Sequence, residues 1–326
     1  MVSGITILTG TIVLATFLAT LFLVKSWIKV AKIFGLVGKD MNKCDKRPVA
    51  ESGGIAVIFA TIFGLLFFIF LKTFLLQTET HFVELLAIVT TILMAGFLGF
   101  IDDILGWKKG LKQWQKPLLT IPIALPLMVL NAGHSVMNVP FFGAVDFGFI
   151  YPLIIVPIGI VGAANGFNML AGFNGLEAGL GSIILAALGL TALKLGTSWL
   201  ALVAFIAVAA LLGFLLFNWF PARVFPGDSL TYSIGALIAV IAILGNMEKT
   251  AIILFIPFFA ELAIKAKNKF KTECFGIPQS DGCLVAPRKI GSLTHILLKF
   301  VKSEKGVVTT LLVFEFLLAA LVWFLF

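Results

Sequence analysis

Three groups of polar residues interrupt an otherwise apolar chain of 326 residues, and each stands where a hydrophobic run ends or begins. Asp102-Asp103 follows a run closing at Ile101, and Asn165 to Glu177 follows one closing near Ala164. Gly227-Asp228-Ser229 comes just before a run that begins at about Leu230. If alternate runs cross a bilayer, all three groups face one compartment. Carboxylates and carboxamides gathered there without a His/Cys cluster suit a hard, oxygen-seeking cation such as Mg2+. Mg2+ in turn points to a phosphate-bearing substrate.

Each group has a plainer reading beside the chemical one. Asp102 and Asp103, adjacent on a helix, project about 100° apart and so divide their tasks; as a bare pair they are also a solvated helix end. The stretch after them, with Trp107, Lys108, Lys109, Lys112, Trp114 and Lys116, is suited to the membrane interface, where Trp anchors and Lys reaches phosphate. Asn165 and Asn168 lie one turn apart on one helix face. They serve either as neutral metal ligands or as caps of a broken helix. Gly172 and Gly175 allow a tight turn against a ligand. Asp228 is either the N-cap of the helix that follows or a metal ligand beside backbone N–H groups that receive phosphate.

The elements that must position these groups are membrane spans. With 60% hydrophobic and 12% charged residues and 33 Phe, the chain has no water-soluble surface. The predicted fold class is all-α, a polytopic integral membrane helical bundle forming a single membrane-embedded domain over 1–326. About ten spans are expected, near 4–24, 54–71, 83–101, 117–131, 149–164, 178–195, 199–217, 229–245, 250–264 and 306–325. Pro122 and Pro126 are expected to kink the fourth. The first run lacks a basic leader and a small-residue cleavage site, so it reads as a retained helix.

Basic residues orient the bundle, because Lys and Arg collect in cytoplasmic loops. Seven fall in 25–47, four in 108–116, one at Arg223 and nine in 265–305, 21 of the 24 in total. Odd-numbered loops are therefore expected inside, with both termini extracytoplasmic and the polar groups on the cytoplasmic face of a cell membrane. The net charge of +8 reflects this asymmetry, so nucleic acid is not among the expected partners. Cys44, Cys274 and Cys283 fall in inner loops, where thiols stay reduced. The 265–305 segment is the longest non-membrane stretch and is expected to contribute to the substrate site.

Taken in order, four motifs resemble the polyprenyl-phosphate N-acetylhexosamine-1-phosphate transferase family (glycosyltransferase family 4). They are Lys46-Arg47-Pro48 with Glu51-Ser52-Gly53-Gly54, Gly99 to Asp103 with Lys112, Asn165 to Glu177, and Phe225 to Ser229. Asn174-Gly175-Leu176-Glu177 is most similar to the eukaryotic and archaeal dolichyl-phosphate GlcNAc-1-phosphotransferases. The bacterial phospho-MurNAc-pentapeptide branch carries a histidine triplet in the last cytoplasmic loop, where this chain has only His295.

The resemblance implies that UDP-GlcNAc and a polyprenyl (dolichyl) phosphate give GlcNAc-diphospho-polyprenol and UMP with Mg2+, a first membrane step of glycan assembly. It implies Asn168 and Asp228 as metal ligands, with Asp102 and Asp103 as catalytic residues at the lipid phosphate or the metal shell and Lys112 neutralising phosphate charge. Lys46, Glu51, Asn165, Asn174, Glu177 and Arg288 fall to the substrates. The bilayer is a partner, and a homodimer is admitted. The Arg-His-Arg stretch of the eukaryotic members is replaced by Cys274-Phe275-Gly276-Ile277-Pro278, with Arg288 and Lys289 as candidates for its place, and Gly106 stands where an Asn is common. The alternatives are another UDP-N-acetylhexosamine or a UDP-MurNAc-pentapeptide-like donor and, outside enzymes, a transporter, which calls for ionisable residues near span midpoints.

Overall fold

The computed structural model describes residues 2–106, 110–139 and 143–326, so Trp107, Lys108 and Lys109 of the basic, aromatic stretch lie outside the described residues. In hydrocarbon every backbone polar group must be satisfied within the segment, and the long apolar runs accordingly form helices. Eight are long and apolar enough to cross a membrane among the described residues. They are α1 (Val2–Ile33, its apolar part from Leu8), α2 (Gly54–Leu71, extended to Leu76 by a π-helical turn) and α3 (Phe82–Leu105). Next come α6 (Val156–Met169, preceded by a π turn from Tyr151), α7 (Leu176–Lys194), α8 (Ser198–Asn218), α9 (Gly227–Leu244) and α13 (Glu304–Leu325).

The other two expected spans are helical but short or broken. The segment from 115 to 129 runs as α4 (Gln115–Thr120), a 3-10 turn (Ile121–Ala124) and α5 (Leu125–Val129). Pro122 and Pro126 remove the amide donors that a continuous α-helix needs there. The segment from 248 to 267 divides at Phe255 into α10 (Glu248–Leu254) and α11 (Ile256–Lys267), two residues before Pro257. α1 exceeds its expected end at residue 24. Its 32 residues are about 48 Å long, well over a hydrocarbon core of about 30 Å. Lys25, Lys29 and Lys32 keep to the exposed side of the extension while Ala31 is buried, and Gly35, at φ 70°, ends it.

Three small antiparallel ribbons complete the chain: β1 (Val37–Lys39) with β2 (Pro48–Ala50), β3 (Val136–Val139) with β4 (Gly143–Asp146), and β5 (Ile277–Pro278) with β6 (Leu284–Val285). The last lies in the 265–305 stretch, which also contains the end of α11 and the short α12 (Leu293–Leu298). The loops from 34 to 53, 110 to 114, 170 to 175, 219 to 226 and 268 to 303 meet at one end of the bundle. Phe225 N donates to Ala50 O (2.7 Å), Gly53 N to Phe225 O (2.8 Å), and Gly54 N to Pro226 O (2.8 Å). This end also holds the basic loops, and the β3–β4 ribbon lies at the other.

α9 is the most enclosed of the long helices, packed among α2, α3 and α6. Two contacts without side chains set its start. A Cβ on Gly99 of α3 would lie 2.3 Å from Asp228 O, and one on Gly54 would lie 2.3 Å from Leu230 N. Small residues let helices in lipid approach backbone to backbone, and here they bring the ends of α3 and α9 together.

Candidate active site

The two acids that end α3 turn to different partners, as adjacent positions on a helix must. Asp103 crosses to α9 and accepts from Asp228 N (2.6 Å) and Ser229 N (3.3 Å). It caps a helix other than its own. Gly227, at φ 71°, makes room: a Cβ there would fall 2.3 Å from Asp103 Oδ2. The reading of Asp228 as the N-cap is thereby corrected. α9 begins at Gly227, its own cap position forms no side-chain bond, and Asp228 lies in the first turn with its carboxylate directed elsewhere.

That carboxylate is the centre of the site. Asp228 Oδ2 accepts from Lys116 Nζ (2.7 Å) and from Asn168 Nδ2 (3.2 Å). Lys116 also pairs with Asp102 Oδ2 (2.7 Å), and Asp102 Oδ1 accepts from Leu111 N (2.6 Å). One ammonium thus bridges the ends of α3 and α9. Asn168 Oδ1 accepts from the Thr231 hydroxyl (3.0 Å), so α6 meets α9 through both atoms of one carboxamide. Asn165, one turn back on α6, donates to Thr120 Oγ1 (2.9 Å). It thereby holds α4, the helix that carries Lys116.

Glu51 completes the acidic side. Desolvation, reinforced by the Asp228 charge and opposed by the Ser52 amide, pushes its carboxyl up to about 7. Its backbone is fixed by Trp27 Nε1, which donates to Glu51 O (2.8 Å). Among the described residues one lysine, Lys116, pairs with Asp102 and Asp228, while Asp103 and Glu51 add two more carboxyl groups near Asp228, an acidic grouping that favours a further cation. Among the described residues no three His, Cys, Asp or Glu side chains converge on one metal-sized point. The oxygens of Asp228, Asp102 and Asn168 are nonetheless hard donors of the type that Mg2+ takes, and in chemical type they fit it.

A second polar group lies beside the first, its side chains bonded to one another and to the backbone except at Glu177 Oε2, which is buried without a partner among the described residues. Asn174 is buried; its amide N donates to Glu304 Oε1 (2.9 Å) and its Nδ2 to Asp40 Oδ2 (3.1 Å). Lys43 is bonded to Glu304 and lies 3.5 Å from Asp40 Oδ2. Glu177, also buried, accepts from Gly172 N (2.6 Å). Asn42 bridges Gly172 O (3.0 Å) and Gly276 N (3.0 Å), and Asn218 Oδ1 accepts from Gly175 N (3.1 Å). The turn from Met169 to Glu177 is held from four directions. Both glycines in it have positive φ, 104° at Gly172 and 85° at Gly175, conformations that side chains resist.

The structure thus brings together Asp102, Asp103, Asn168 and Asp228 with Glu51 alongside, and places Asn165, Asn174 and Glu177 in the supports. Lys112 stands apart. It is exposed, and its backbone N donates to Gln115 Oε1 (2.8 Å). Lys46 and Arg288 are exposed at the same end of the bundle. Sequence reasoning placed Lys116 only in the interfacial stretch whose lysines reach phosphate, outside the site residues, and left Thr231, Asp40, Asn42, Lys43 and Glu304 without a role. The signal for Lys116 was its place in the basic, aromatic stretch that follows the acidic pair.

The stretch from 85 to 246 matches the model of glycosyl transferase family 4. The chain is 38% identical to a Sulfolobus acidocaldarius protein provisionally named UDP-N-acetylglucosamine–dolichyl-phosphate N-acetylglucosaminephosphotransferase, over 90% of this chain and 88% of the relative. A Saccharolobus solfataricus protein with the same provisional name is 39% identical over 83% and 82%. The Dictyostelium discoideum protein that bears the name outright is 28% identical over 83% of this chain and 72% of its own.

Proposed function

The chain belongs to glycosyl transferase family 4, and from that premise we propose that it transfers GlcNAc-1-phosphate from UDP-GlcNAc to a polyprenyl (dolichyl) phosphate, releasing UMP. The observation that carries this reading is the Asp102–Lys116–Asp228–Asn168 constellation, built from the ends of α3, α6 and α9. At that level a water-soluble nucleotide can meet a phosphate whose chain stays in the bilayer. Phosphoryl transfer depends chiefly on alignment and on cancelling charge at the non-bridging oxygens.

In the proposed step an oxygen of the lipid phosphate attacks the β-phosphorus of UDP-GlcNAc. The new P–O bond forms as the bond to the UMP oxygen breaks, and UMP leaves with that electron pair. The nucleophile is already an anion, so Asp102 is assigned to positioning rather than to removing a proton. Asp228 and Asn168 are proposed to hold Mg2+, which when bound supplies positive charge at the diphosphate. Lys116, held between Asp102 and Asp228, is the ammonium placed to neutralise phosphate. Asp103 fixes the start of α9 and, with it, the direction of Asp228. Glu51, Lys46 and Arg288 line the approach of the nucleotide, Lys112 reaches out from the rim, and Asn165, Asn174 and Glu177 hold the elements in register. The concentration of 21 of the 24 basic residues in the sequence's alternate loops supports an active site on the cytoplasmic face of the cell membrane.

Purified protein with Mg2+, polyprenyl phosphate and a panel of UDP-sugars tests the substrate. UDP-GlcNAc is expected to give the fastest UMP release. Faster release from UDP-MurNAc-pentapeptide or from another UDP-N-acetylhexosamine would overturn the choice of donor.

A further inference from the structure

We propose that Glu261 is a positioning residue for the donor nucleotide: it holds the 268–303 loop against the turn that follows Asn168, and so sets where Arg288 stands. The kinetic part of this proposal rests on the UDP-sugar reading above.

An acid near the end of an apolar helix needs a use, because its burial costs free energy unless its oxygens are bonded. Glu261 of α11 is fully buried, and both of its oxygens are engaged. Oε2 accepts from Leu293 N (2.6 Å) and the Ser292 hydroxyl (3.0 Å), while Oε1 faces the Cys274 thiol (3.5 Å) and Lys265 Nζ (3.6 Å). One carboxylate therefore joins two stretches of the loop, near 274 and 292. The Thr294 hydroxyl closes the same ring by donating to Cys274 O (2.6 Å). His295 reinforces it. Gly291 N donates to His295 Nδ1 (3.1 Å), so Nε2 carries the proton and donates to Phe275 O (3.0 Å).

The joined loop then presses on the site. The Cys274 thiol lies 3.2 Å from Met169 O, the residue after Asn168. The Phe275 ring covers Gly172, where a Cβ would be 2.7 Å from it, and Gly276 N reaches Asn42 (3.0 Å). Arg288 lies three residues before Gly291, on the same pinned segment, and its own side chain is exposed. Loosening Glu261 should therefore move Arg288 and the turn below Asn168 together, while the membrane-embedded helices keep their packing.

The test uses the full-length protein, wild type and Glu261→Gln, in lipid nanodiscs. The amide places a donor opposite the Cys274 thiol and Lys265, in place of an acceptor. Backbone hydrogen exchange over 272–295 without substrates is expected to rise at least about tenfold. The KM for UDP-GlcNAc is expected to rise about ten- to a hundredfold, as displacements of about 1 Å at a remote support can produce. The KM for polyprenyl phosphate should stay within about twofold, which general damage to the fold would not allow. Ser292→Ala, which removes one donor and leaves the carboxylate, should shift exchange and nucleotide KM in the same direction by less. Faster exchange with an unchanged nucleotide KM would overturn the positioning role, and unchanged exchange in both variants would overturn the proposal entirely. If the wild type releases no UMP from any UDP-sugar, the functional reading and the kinetic claim fail, while the exchange data still decide whether Glu261 holds the loop.

Discussion

Two polar regions lie side by side at one end of the bundle, and they spend their hydrogen bonds differently. Around Asn174, Glu177 and Glu304, side chains bond one another and the backbone, and all three are buried. Around Asp228, a partly exposed carboxylate with 26% of its side chain accessible faces one lysine and one amide, with more acids than bases nearby. Apart from Glu177 Oε2 the first network is satisfied, and a satisfied, closed network rigidifies, whereas an open one with unbalanced charge has capacity left for a ligand. Both regions drew attention as polar motifs in the sequence, and only their geometry divides support from chemistry.

Substitutions can break that division, the largest effect coming first. Asp228→Asn is expected to lower kcat by roughly 10³-fold, in the range seen when one preorganised electrostatic group is lost. Its melting temperature in detergent should stay close to that of the wild type, because Asp103 still caps α9. Near-normal turnover in this variant would move Asp228 from the open region to the closed one.

The two lysines give a sharper contrast. Lys116→Met should reduce kcat by about 100-fold, since it removes the one ammonium between Asp102 and Asp228. Lys112→Met should cost less than about fivefold, as an exposed charge contributes about 1 kcal/mol or less. The opposite ranking, measured as UMP release under saturating substrates, would return the role to Lys112.

On the closed side, Asn174→Ala should act on stability first. It leaves Asp40 Oδ2 without the amide it now accepts from, a loss of about 1–3 kcal/mol. Thermal unfolding should show that loss with a far smaller fall in kcat than Asp228→Asn gives. A collapse of kcat with unchanged stability would place Asn174 among the groups that touch substrate.

A smaller effect comes from Glu51. Its carboxyl is raised from 4.5 to about 7 by desolvation and then by Asp228, so the folded protein holds this proton more tightly than the unfolded chain. The corresponding stability is complete below pH 4.5 and is lost as the pH rises through about 7. In chelator, the wild type should therefore lose melting temperature relative to Glu51→Gln between about pH 5 and about pH 8. A difference that stays flat across that range would show that Glu51 does not feel the acidic side of the site.

The class of fold and the level of the site were legible in the sequence because both follow from local patterns. Apolar length marks the helices, and the change from Ile101 to Asp102 or from Pro226 to Asp228 marks their ends. What could not be read is set by distant pairing. Lys116 and Asp228 are 112 residues apart, Asn174 and Glu304 are 130, and no periodicity links them. The choice between Asp103 and Asp228 as helix cap likewise depended on how closely Gly99 lets α3 approach α9. Prolines 122 and 126 marked a kink in the fourth span, but not its reduction to short pieces, and the division of the 250–264 span at Phe255 was not foreseen. Glu261 was visible only as an isolated acid in an apolar run, and its partners at Ser292 and Leu293 lie across a loop from it.

The nucleotide released is the most direct discriminator, because it reports which bond of the donor breaks. Incubating the purified protein with Mg2+, polyprenyl phosphate and UDP-GlcNAc carrying a labelled β-phosphate should yield UMP and place the label in the lipid product. Release of UDP, with the label remaining on the nucleotide, would mean that the sugar alone is transferred and would contradict phosphoryl transfer at the Asp228 site.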